Sequence, residues 1–178
     1  RVFAGWDFAA DEVHLPDFAA TGYDRGVPMG GDLFAGPEGA APTFLIRALR
    51  DPDGANLDRI QIVKGWVGAD GEPKTKVFDV AWSGDREPDP EGKLPHVGST
   101  VDGATFANTI GSAVLGGYWV DPEFDPARRA FYYIRVLEIP TPSWLAYDEE
   151  IYGPLDLPDD AVMVQQERAY TSPIWYSP

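Results

Sequence analysis

At 178 residues, with 44% hydrophobic and 13% aromatic content, the chain suits one domain that buries about 70% of its unfolded surface, and general disorder is excluded. Fourteen Lys and Arg against 29 Asp and Glu leave a net charge of −15, a field that repels phosphate backbones and anionic lipid. Nucleic acid is therefore not expected as a partner. The absence of cysteine excludes disulfides, thiolate metal sites and a cysteine nucleophile, and leaves the compartment open.

No apolar run approaches the roughly 20 residues that span a bilayer, so membrane insertion is not expected. The chain opens on Arg1 with no basic-then-apolar leader, which reads as a cut end within a longer protein or the start of a mature chain. Nineteen glycines and 17 prolines favour many short elements joined by turns.

Residues 1–8 (RVFAGWDF) read as a short strand with Val2, Ala4, Trp6 and Phe8 on one face. Residues 9–26 mix acidic and aromatic positions and read as a long connection; residues 26–33 form a turn-rich element. Residues 43–50 (TFLIRALR) alternate between Pro42 and Pro52, which points to a strand with Phe44, Ile46 and Ala48 on one face. Residues 57–67 follow as a strand with Ile60 and Ile62 inward and Arg59 and Gln61 outward. Asp70-Gly71 signals a hairpin into residues 74–82, with Phe78, Val80 and Trp82 opposite Asp79.

Residues 83–98 carry three prolines and three glycines and read as a surface loop. Between Thr100 and Tyr118 the alternation of Phe106, Asn108 and Ile110 suggests a strand, and Gly116-Gly117 an irregular segment. Asp125 and Pro126 look like a one-turn helix start. The longest strand-forming run is Ala130 to Ile139. It is apolar on both faces, Tyr132, Ile134 and Val136 against Phe131, Tyr133 and Leu137, as in a strand at mid-sheet covered on both sides. Residues 140–161 form an acidic, aromatic-bearing excursion, and residues 165–176 a closing strand interrupted by Pro173, which puts that part at an edge or a bulge. Seven or eight short strands, with no amphipathic helix of useful length, define an all-β antiparallel sandwich over residues 1–178.

Chemistry is harder to find. Asp51, Asp53, Asn56 and Asp58 have the alternate spacing of a calcium loop, yet Ile62 stands where the closing acid belongs. His14 and His96 lack partners at zinc spacing, and no Gly-x-Ser-x-Gly elbow surrounds any serine. No catalytic residue, cofactor site or metal site is therefore assigned. Trp144 and Tyr147, in the acidic excursion, remain as a candidate platform for a ligand or for a neighbouring domain.

The strings GVPMGG (26–31), RALRDPDGANLDRIQIVKGW (47–66), DVAWSGDR (79–86), FDPARRAFYYIRVLEIPTPSW (124–144) and QERAYTSPIWY (166–176) closely resemble the C-terminal part of the bacterial domain-of-unknown-function family numbered 3604. The resemblance implies a C-terminal piece of a longer protein whose N-terminal half is PHP-like (polymerase and histidinol phosphatase), a metal-dependent hydrolase that uses a divalent metal. No metal motif of that half maps onto these residues. By the same analogy the sandwich would be immunoglobulin-like. The first expectation is thus a non-catalytic accessory domain partnered by the catalytic half of the same polypeptide, with residues 9–26 and 140–161 as the contact surface. That surface should expose an apolar patch. The alternative is a self-sufficient module binding carbohydrate or a cation-bridged ligand through Trp144, Tyr147 and the acidic loops. An extracytoplasmic setting agrees with either.

Overall fold

A computed structural model describes residues 1–102 and 106–178. In chain order its strands are β1 (Val2–Gly5), β2 (Gly26–Pro28), β3 (Asp32–Phe34), β4 (Thr43–Leu49), β5 (Leu57–Val67), β6 (Pro73–Trp82), β7 (Val114–Val120), β8 (Ala130–Glu138), β9 (Thr141–Pro142), β10 (Val164–Gln165), β11 (Arg168–Tyr170) and β12 (Ile174–Ser177). A 3₁₀ turn covers Ala10–His14. Helices α1 (Phe18–Arg25) and α2 (Trp144–Tyr152) complete the described structure.

Two sheets face each other. The smaller runs β2-β1-β4-β7, all antiparallel, and the larger runs β3-β12-β8-β5-β6, with β11 also paired to β8. The larger sheet contains one parallel pair, β3 with β12. Period-two alternation turns Val2, Ala4, Phe44 and Ile46 of one sheet onto Ile60, Ile62, Tyr132, Ile134 and Ile174 of the other, and all of these are buried. The fold is an all-β sandwich, and β8 lies at mid-sheet as its composition requires.

Helices were not expected, and there are two. Residues 10–25 do not wander as a connection. The 3₁₀ turn and α1 lie over the outer face of the smaller sheet, where Val13 and Phe18 meet Phe3, Phe8 and Leu45 in a second apolar cluster. Only Phe18 and Gly22 of α1 are buried, too sparse a stripe to show as helical periodicity. Gly22 is needed there: a β-carbon would fall 2.3 Å from the Phe3 ring.

Four local readings shift. The strand near residue 106 is instead β7, further along and directly through Gly116-Gly117. A β-carbon at Gly116 would come within 3.3 Å of Val13 and His14, so the glycine admits the 3₁₀ turn onto the sheet. Part of that reading, residues 103–105, lies outside the described residues. A register shift opposite Ile60 and Gln61 leaves Val80 as an extra residue, so Trp82 pairs with Arg59 on the outer face rather than lying with Phe78. Asp125 caps a turn and not a helix, accepting from the Ala127 amide at 3.0 Å. Pro173 separates β11 from β12, but β12 is no edge, being flanked by β8 and β3.

Candidate functional site

The larger sheet turns its outer face away from the core, and its two ends differ chemically. At one end of that face, Trp175, Phe131, Tyr133 and Tyr170 form a continuous run of rings. The Phe131 centroid lies 5.5 Å from Trp175 and 6.4 Å from Tyr133, with the latter pair only 9° from parallel; Tyr133 meets Tyr170 at 6.2 Å. Gly65 is the cross-strand partner of Phe131, and a β-carbon there would sit 2.2 Å from the ring. The glycine lets the ring lie flat on the β5 backbone. Among the described residues, no helix or loop covers these rings as α1 covers the smaller sheet: Trp175 and Tyr170 are exposed, and Phe131 and Tyr133 are half-buried. Apolar character on both faces of β8 was read as covering on both sides; here one cover is missing among the described residues.

At the other end the face is polar and buried. Asp58 is fully buried between two guanidinium groups, 2.6 Å from Arg86 and 3.3 Å from Arg59. Arg59 also donates to the Leu94 and Pro95 carbonyls at 2.8 Å, and Arg86 to those of Pro95 (2.7 Å) and Asp58 (2.9 Å). The pair of arginines thereby clamps the 83–98 loop onto β5. Gln61 carries the network across the sheet, donating to Asp79 at 2.7 Å and accepting from Arg135 at 2.7 Å. Every one of these groups serves another, so the cluster is a structural clamp. It also explains why Arg59 and Gln61, although outward, are buried.

A second buried charge joins β5 to the segment before β8. The Lys64 ammonium lies 2.6 Å from Asp121, and the Tyr132 hydroxyl donates to the same carboxylate at 2.7 Å. Burial, then the Asp121 charge, pushes the Tyr132 phenol far above its ordinary range, so it stays a hydrogen-bond donor. The trio is fully satisfied, with Lys64 also donating to the Glu123 carbonyl at 2.8 Å.

Trp144 and Tyr147 lie one turn apart on α2, not in a loop. Trp144 is exposed and Tyr147 half-buried. The helix as a whole buries no residue. It is joined to the sandwich through the β9–β10 ribbon, where the Ser143 amide donates to the Met163 carbonyl at 2.8 Å. Ile151 and Tyr152 are exposed with it, as are Val162 and Val164 nearby.

The calcium-like set does not converge. Asp51 accepts from the Asp53 amide at 2.9 Å in a turn, Asn56 donates to the Ile110 carbonyl at 2.8 Å, and Asp58 belongs to the arginine clamp. Both histidines are exposed. Among the described residues, no three His, Asp or Glu side chains are grouped so as to hold a metal ion. Glu138, raised above the usual carboxylate range by burial and then by Glu167 and Asp51, accepts from the Ala55 amide at 3.2 Å.

Sequence reasoning singled out Trp144 and Tyr147 and missed the ring run; the double-sided apolar pattern of residues 130–139 signalled only that Phe131 and Tyr133 share the outer face of β8. Among the described residues, fold and surface define an all-β sandwich whose exposed apolar surfaces include the ring face and α2. The chain belongs to the family described as protein of unknown function (DUF3604), whose model matches residues 1–178. No curated protein and no solved structure matches it.

Proposed function

We propose that this chain is a non-catalytic, immunoglobulin-like accessory domain that packs, through α2 and the β9–β10 ribbon, on a PHP-like metal-dependent hydrolase domain N-terminal to it in the same polypeptide. The observation that carries this reading is α2 itself. A nine-residue helix is too short to persist alone in water, and helices of this length draw their stability from a buried face. In this one no residue is fully buried and residues 145–149 are only half-buried, while Trp144, Ile151 and Tyr152 are 68%, 70% and 76% exposed. An ordered helix with an apolar, unburied surface is an interface element awaiting its partner. In this reading the divalent metal and the hydrolytic chemistry belong to the other domain.

The test is calorimetric titration of this chain with the upstream domain expressed separately. Binding is expected, and Ile151→Asp should weaken it at least about tenfold, because a charge enters an apolar contact. Ile151 is exposed, so the melting temperature of the variant should match the parent's. Absence of binding, or equal affinity for the variant, would overturn the proposal.

A further inference from the structure

We propose that the ring-bearing outer face of the larger sheet is a binding site for a neutral oligosaccharide, distinct from the α2 surface. A sugar ring has one apolar C–H face and a rim of hydroxyls that both donate and accept. A site for it therefore needs flat aromatic planes with donors and acceptors beside them, close to neutral in sum. Both are present. Phe131 and Trp175 line a cleft of about 540 Å³, and Asp32, Lys74 and Arg129 line the same cleft.

The polar groups are available for a ligand. Asp32 and Arg129 are exposed and form no ion pair among the described residues. They offer one acceptor and one charge-assisted donor beside the rings. Lys74 is held at 3.0 Å by Asp70, which tempers its charge. A strongly anionic ligand would meet the field of a chain with net charge −15. A neutral polyhydroxyl ligand meets no such barrier.

The rings extend beyond the cleft. Phe131 and Tyr133 are near-parallel on one strand, and Tyr170 continues the run, so the platform outlasts a single sugar ring. Stacking on such a platform tolerates varied ligand faces and gains affinity ring by ring. That favours a chain of sugars over a monosaccharide. Gly65 admits Phe131 against the backbone, while Trp175 and Tyr170 tilt by 54° and 44° from their ring neighbours.

Affinity electrophoresis in native gels containing β-glucan, xylan or galactomannan, with alginate as the anionic control, tests the inference on the chain as it is. Retardation by at least one neutral polymer is expected, and none by alginate. Trp175→Ala should weaken it about tenfold, the loss of one stacking plane. Trp175 is 48% exposed, and Arg129→Met offers a second surface change that should also weaken binding without touching the core. Trp144→Ala should leave retardation unchanged, which separates this site from the α2 surface. No retardation in any neutral gel would overturn the inference. So would retardation that both Trp175→Ala and Arg129→Met leave intact, or that only Trp144→Ala removes.

Discussion

Asp58→Ala is expected to cost the fold about 3–5 kcal/mol, because it strips Arg86 of its counter-charge and leaves Arg59 only the more distant Asp79 carboxylate at 3.5 Å. Asp58 has no solvent exposure, and Arg59 is nearly as buried. Removing the carboxylate leaves Arg86 without an ion-pair partner beside a guanidinium that is only partly compensated. For a domain of this size that loss is a fall of roughly 6–20 °C in melting temperature, measured by calorimetry. The 83–98 loop should loosen first, since both arginines hold its carbonyls. Proteolysis at that loop in the variant, ahead of global unfolding, would display this directly. Replacing Asp58, Arg59 and Arg86 together by apolar residues should recover part of the loss, because the cost lies in the unpaired charges. An unchanged melting temperature for Asp58→Ala would mean the clamp carries no stability.

Ile134→Asp should have an effect at least as large. Ile134 is 1% exposed on the inner face of β8, opposite Ile62 on β5, within the main core cluster. A carboxylate there enters an apolar cluster, and its burial costs several kcal/mol on top of the lost packing. Set against a total stability of about 5–15 kcal/mol, the variant is expected to lose its cooperative thermal transition. Circular dichroism melting decides it. A variant that melts like the parent would mean that β8 is not the central strand.

The sheets were legible because their residues alternate where one face meets the core. Thr43–Leu49, Leu57–Val67 and the hairpin at Asp70-Gly71 emerge from period two and turn chemistry alone, and Gly71 takes the positive φ of 79° that such a turn uses. The helices were not legible, for two physical reasons. Helix α1 buries only Phe18 and Gly22, and α2 buries nothing, so neither writes a 3.6-residue apolar stripe into the sequence. Strand β7 was obscured because Gly116-Gly117 reads as a breaker, when it serves close approach of the 3₁₀ turn. Trp82 was put on the wrong face because a bulge leaves no sequence trace in a run of alternating residues.

The candidate surfaces divide in the same way. Trp144 and Tyr147 stood out as aromatics among acids, and both lie on α2. The ring run on the larger sheet is assembled from β8, β11 and β12, strands separated by the whole 139–167 excursion, so no local pattern could have joined Phe131 to Trp175. Asp58 illustrates a pattern rightly set aside for want of a closing acid. Its spacing from Asp51 and Asp53 suggested oxygen ligands for a cation, while its place inside an aliphatic strand beside Arg59 marks a buried ion pair.

The central claim, that α2 is an interface element completed by a neighbouring domain, is tested most directly by hydrogen exchange of the Trp144–Tyr152 amides. The measurement compares this chain alone with a longer polypeptide in which the proposed upstream domain precedes it. In the chain alone these amides should exchange at nearly the rate of an unstructured peptide, while those of β5 and β8 stay protected. In the longer polypeptide the same helix amides should slow by at least about tenfold. Strong protection of α2 in the chain alone, or an equal rate in both proteins, would contradict the account.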